Sequence, residues 1–186
     1  MTQSVKNVIY KALHLLFLPI RICYRKRNGT QTHATHKEIP NEILLGAVRD
    51  SIRQGYTATI MVKGWSMRPF LEHIRDKVQL DSPQNAQKYD AVLAEISLGK
   101  YVLHRIINIK HHPQDSNLDE ITLMGDGNIR ETEQCMRKDL CGIVTHYIRP
   151  NRIIPADKPQ LTKSIILWNK LLPLRRYLLF IYRTII

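Results

Sequence analysis

Over residues 38–55 apolar side chains recur every three or four positions, at Ile39, Ile43, Leu44, Ala47, Val48 and Ile52. That spacing puts them on one face of a helix, entered near Pro40 and Asn41 and stopped by Gly55. Beyond Tyr56 the period changes to two. Residues 57–63, 76–80, 91–96, 101–109, 121–124 and 141–149 then read as strands. The spacers 81–89 and 111–120 hold the Pro, Asn, Asp and Ser of surface turns. Short strands with turn-rich connections predict a mainly β protein, α+β overall, built on a coiled antiparallel sheet.

The ends of the chain follow another pattern. A polar stretch at 25–37 separates an N-terminal arm from the strand-bearing region, which divides the chain into an arm and linker (1–37), a central domain (38–155) and a C-terminal helical arm (156–186). The arms hold the charge. The whole chain has 28 Lys and Arg against 16 Asp and Glu. Residues 1–28 hold six of the bases and no acid, and residues 149–186 hold eight bases against Asp157 alone, so the middle is left slightly acidic. In the C-terminal arm Lys163, Lys170, Arg176 and Arg183 form a basic stripe opposite Leu167, Leu171, Leu174, Leu178 and Ile185, and Pro173 should break the helix.

Bases mixed with long apolar side chains suit an anionic membrane surface better than nucleic acid, and no specific nucleic-acid partner is expected. The same arm can instead pack its apolar face on the domain. Neither arm supplies the roughly 18–20 apolar residues of a spanning helix. Arg25, Lys26 and Arg27 stand where a cleavable signal peptide needs small residues, so peripheral attachment on the cytoplasmic side is expected. Three cysteines, Cys23, Cys135 and Cys141, suit reduced thiols rather than a disulfide framework.

Three short segments carry the candidate chemistry: 64–69 (Gly-Trp-Ser-Met-Arg-Pro), 103–106 (Leu-His-Arg-Ile) and 125–128 (Gly-Asp-Gly-Asn). Ser66 lies just past a strand, in a turn that exposes it. A serine hydroxyl needs a base to take its proton, and an imidazole suits that task near neutrality. His104 is the available base; by alternation it shares a face with Val102 and Ile106, and Arg105 points to the other. An acid usually fixes the tautomer of such a histidine. Asp126 is the first choice, although Gly-Asp-Gly-Asn is also ordinary turn chemistry.

In order and content these segments resemble the S24/S26 serine peptidase superfamily, which includes signal peptidases and LexA-type self-cleaving repressors. The first matches its Gly-x-Ser-Met-x-Pro box, the second the box of the general base, and the third its Gly-Asp-x-Asn box; the resemblance covers residues 56–149. A histidine at the base position resembles the endoplasmic-reticulum and archaeal branch. The resemblance implies coiled antiparallel sheets and cleavage of an extended leader or signal-type peptide docked as an added strand. It implies Ser66 as nucleophile, His104 as base and the Ser66 backbone N–H in the oxyanion hole. In that branch the acid lies a few residues past the third box, so Glu133 or Glu131 competes with Asp126. Trp65 and Met67, beside the serine, are candidates for the substrate groove. No cofactor or metal is implied.

The alternative reading is a catalytically weak module of the same fold that holds a peptide or partner protein at the membrane. Other groups attract less chemistry. Lys100 stands roughly 13 Å along the strand from His104, too far to share its task. Cys135 and Cys141 read as small core residues, and the pairs His33/His36 and His111/His112 lack partners at zinc spacing.

Overall fold

The computed structural model describes residues 41–185; the N-terminal arm and linker (1–37) lie outside them. Helix α1 (Asn41–Arg53) is followed by strands β1 (Ala58–Met61), β2 (Lys77–Asp81), β3 (Ala91–Ser97), β4 (Lys100–Lys110), β5 (Glu120–Met124), β6 (Glu133–Met136), β7 (Leu140–Arg149) and β8 (Arg152–Pro155). Two helices close the chain, α2 (Pro159–Lys170) and α3 (Arg175–Ile185). The molecule is an α+β protein dominated by one antiparallel sheet, in which neighbours run β1-β2-β7-β3-β4-β5-β6 and β8 pairs with β7.

All six strands expected from alternation are present, their ends shifted by up to two residues. Strands β6 and β8 were not expected. Their sequences, Glu-Gln-Cys-Met and Arg-Ile-Ile-Pro, do not alternate apolar with polar side chains, and each is specified by its partner: Leu123↔Glu133 along β5 and Arg149↔Arg152 along β7. Pairing supplied by a neighbouring strand is invisible to local periodicity.

Strand β7 organises the sheet. One edge pairs with β2 from Asp81↔Ile143 to Lys77↔Ile148, and the other takes β3 and then β8. Its neighbours bury it, and two apolar clusters form. The larger joins Val48 and Ile52 of α1 to Leu80, Leu93, Val144 and Tyr147 of the sheet and to Phe70 and Leu71 after the Ser66 turn. The smaller packs Val92, Ala94, Ile106, Ile121, Leu123 and Leu140.

The C-terminal helices belong to the larger cluster through Leu161, Ile165, Trp168 and Leu179. Trp168 is 1 % exposed and its Nε1 donates to the Asp126 carbonyl (2.8 Å), so packing crosses the expected boundary at 155/156. The buried face is not the leucine stripe read from the sequence: Leu167 and Leu174 are exposed, and Leu171 and Leu178 are half-buried. A 3-10 turn at Leu172–Leu174, containing Pro173, ends α2 and rephases the faces of the two helices. Lys163, Lys170, Arg176 and Arg183 all remain exposed. Among the described residues no helix is long and apolar enough to cross a membrane.

Candidate active site

Ser66 follows β1 by five positions. Gly64 sits at φ +98°, a left-handed value that disfavours any residue with a Cβ, and this turns the chain off the strand before the serine. The Gly64 N–H donates to His73 Nδ1 (2.8 Å), and the turn is further held by the Arg68 N–H to the Trp65 carbonyl (3.2 Å). The turn is therefore built by its own loop rather than by regular structure. Ser66 ends half-buried, and its backbone N–H and its Oγ make no hydrogen bond among the described residues.

His104 lies on β4 opposite Val92 of β3 and is 5 % exposed. Its Nδ1 meets Glu133 Oε2 at 2.8 Å. The register explains the reach. Glu133 stands opposite Leu123 on β5, which stands opposite Ile106 on β4, two positions from His104 on the same face. A carboxylate on Nδ1 holds the proton there and leaves Nε2 free to accept another.

Asp126, the acid favoured from the sequence, is placed elsewhere. Both of its oxygens are taken by Arg105, at 2.8 Å from Nε and 2.6 Å from Nη2, and both side chains are 1 % exposed. The reason is the pleat: Arg105 is the neighbour of His104 and points to the opposite face, where the 125–128 turn lies. Burial alone would lower the Arg105 guanidinium, but Asp126 outweighs it and holds the group above its ordinary value. Glu131 is exposed and makes no hydrogen bond or ion pair among the described residues. Sequence reasoning left Arg105 without a role. An arginine inside an apolar strand asks for a buried acid, and that signal was readable.

The 125–128 turn instead buttresses the serine. Gly127 N–H donates to the Ser66 carbonyl (2.6 Å), and a Cβ on Gly125 would meet that carbonyl oxygen at 2.5 Å and the Ser66 Cβ at 3.0 Å. Arg175 of α3 donates to the Asn128 carbonyl (2.9 Å) and fastens the turn from behind. Gly125→Ala must move one backbone or the other. It is expected to destabilise the protein by about 1–3 kcal/mol, read by thermal melting, because the nearest atom is a backbone oxygen, which cannot swing aside as the end of a flexible side chain can.

Ser66 and His104 line one cleft of about 340 Å³ between α1, β1 and β4. Its apolar lining includes Leu44, Leu45 and Val48 from α1, Ile60 from β1 and Leu103 from β4. No hydrogen bond joins Ser66 Oγ to the imidazole among the described residues. Met67 lines the cleft but is 2 % exposed, so it is wall rather than contact surface. Trp65 is not part of the lining; its ring lies 4.5 Å from that of His73, with the Arg68 guanidinium 3.9 Å from its centroid.

Two strand edges border the same cleft. Among the described residues β1 pairs only with β2, and residues 100–104 of β4 pair only with β3, because β5 begins its pairing at Arg105. Lys100 is exposed at the end of β4. Burial pushes the Cys135 thiol up to about 12 and the Cys141 thiol up to about 11, which leaves both protonated and unreactive near neutrality. His111 Nδ1 meets Asp119 at 3.1 Å, and no cluster of His, Cys, Asp and Glu suited to a metal occurs among the described residues. Cys23, His33 and His36 lie outside them.

The class these features define is an α+β protein with a serine and a carboxylate-bound histidine on one cleft. Comparison with protein-family models, curated proteins and solved structures returns no match.

Proposed function

We propose that this protein is a serine endopeptidase of the S24/S26 type that cleaves an extended leader or signal-type peptide at the membrane surface, on the cytoplasmic side. The observation that carries the reading is the shared cleft: Ser66 and His104 both line it, and Glu133 binds Nδ1 of the imidazole. Ser66 Oγ attacks the scissile carbonyl as His104 Nε2 takes its proton. The Ser66 N–H, unbonded among the described residues, steadies the oxyanion. His104 then passes the proton to the leaving amine, and a water activated by the same nitrogen hydrolyses the acyl-enzyme. Glu133 accepts the Nδ1 hydrogen bond throughout and keeps the ring oriented. The Ser66–His104 hydrogen bond forms around the bound substrate, where catalytic contacts tighten. The edges of β1 and β4, unpaired on the cleft side among the described residues, offer backbone groups for an extended peptide to pair with.

Labelling with a fluorophosphonate or a penem-type acylating agent tests the nucleophile. An adduct is expected on Ser66 in the wild-type chain and none in His104→Ala. A Ser66→Ala chain that keeps full activity in cells would instead favour the module that only holds its partner.

Glu133→Gln separates this acid from the other. It is expected to lower kcat by about 10²–10⁴-fold through the wrong tautomer of His104, as loss of a triad acid does elsewhere. Thermal stability should fall by no more than about 1–2 kcal/mol, because the contact is part-buried and the glutamine amide oxygen can still accept from the imidazole. Unchanged kcat in this variant would remove Glu133 from the mechanism.

A further inference from the structure

Each C-terminal helix buries one face and leaves the other open. In α3, Leu179 and Tyr182 are buried, while Tyr177 and Phe180 stand 66 % and 71 % exposed, and Leu174 in the preceding turn is 53 % exposed. Arg176 and Arg183 are exposed among them. Positions 176, 177, 180 and 183 fall on one side of a helix, so rings and cations share a single outward face. No Asp or Glu occurs from Lys158 to the last residue. Scattered apolar residues on a surface are ordinary, but aromatic rings and a leucine grouped within a rim of cations that have no acidic partner among the described residues are not.

We propose that this face of α3 is a docking surface for anionic lipid. Tyr177, Phe180 and Leu174 enter the boundary between headgroups and acyl chains, while Arg176 and Arg183 extend their charged ends to lipid phosphates. Charge complementarity selects the partner: the face repels basic surfaces, and a nucleic acid would satisfy its cations without giving Leu174 an apolar phase. The inference rests on the membrane part of the proposed function and is independent of its chemistry.

Its consequence for the site follows from the contacts of the same helices. Tyr182 Oη donates to Glu72 Oε1 (2.6 Å) in the loop that follows Ser66, and Arg175 holds the 125–128 turn. Docking through α3 therefore fixes the orientation of the Ser66 loop and the 125–128 turn relative to the lipid surface.

The test is flotation of the full chain with vesicles of phosphatidylcholine, with and without phosphatidylglycerol. Binding is expected only to the anionic vesicles and should weaken as salt rises. Tyr177→Ser combined with Phe180→Ser is expected to lower the partition coefficient by about tenfold or more, and Arg176→Glu combined with Arg183→Glu by a similar factor. Phe180→Trp should bind as the wild type does, with emission that shifts to the blue on adding anionic vesicles. Melting temperatures of all these variants should match the wild type. The proposal is overturned if the serine variants bind vesicles undiminished, which would assign binding to residues 1–37. It is equally overturned if they melt at lower temperature, if they break a wild-type dimer, or if the chain prefers DNA to anionic vesicles. Ser66→Ala should float like the wild type, and the Tyr177/Phe180 variant should cleave a soluble peptide normally, so failure of docking and failure of the peptidase reading are separable.

Discussion

Ser66→Ala is expected to lower kcat/KM for a leader-type peptide by about 10⁴–10⁶-fold, the scale on which a hydroxyl nucleophile and its base act as one unit. The loss should be chemical and not structural. Ser66 Oγ makes no hydrogen bond among the described residues, so its removal strands no buried partner, and melting should shift by no more than about 2 °C. His104→Ala should lose activity to a similar degree, with a modest loss of stability because its ring is 5 % exposed and packs in the protein. The double variant should be scarcely worse than either single one, since each already disables the pair. Steady-state cleavage beside circular-dichroism melts decides the matter. Turnover within about tenfold of the wild type in both single variants, freed of contaminating peptidase, would end the reading.

Asp126→Asn is the substitution with the largest expected effect on stability. Arg105 and Asp126 are each 1 % exposed and joined by two hydrogen bonds, and Arg105 Nη1 is also spent on the Tyr89 carbonyl (2.8 Å). Neutralising the acid leaves a guanidinium in the core without its counter-charge, which costs about 3–5 kcal/mol in buried pairs. For a chain of this size that lowers Tm by on the order of 10 °C. Replacing both partners, Arg105→Met with Asp126→Leu, is expected to recover much of the loss, because no charge is then left buried. An Asp126→Asn protein that melts normally but has lost catalysis would return Asp126 to the role of orienting acid and displace Glu133. Calorimetry together with a rate assay on the same sample distinguishes the two.

The sequence and the structure disagree most usefully at that acid. Asp126 was attractive because it sits in a glycine turn after a strand, where a carboxylate is easily imagined reaching a base. Alternation had already sent Arg105 to the face opposite His104, and the acid went to the charge it met there. Glu133 was harder to favour because the strand that carries it, β6, is four residues of mixed polarity that only pairing with β5 makes regular. The supports of the turn were less visible still. Trp168 and Arg175 lie some forty residues beyond the segment they hold, and no local pattern ties them to it.

The amino-acid sequence by itself determined α1, strands β1–β5 and β7, the antiparallel class, the serine turn and the face of β4 that carries His104. Each of these follows from local periodicity, from turn chemistry or from a glycine's left-handed backbone, which act within a few residues. The tertiary structure decided which carboxylate reaches the imidazole and which face of the C-terminal helices is buried. It also brought β1 and β4 to the two sides of one cleft. Those outcomes depend on sheet order, on the register across β5 and on the break at Pro173, and they are settled by contacts between residues far apart in the chain.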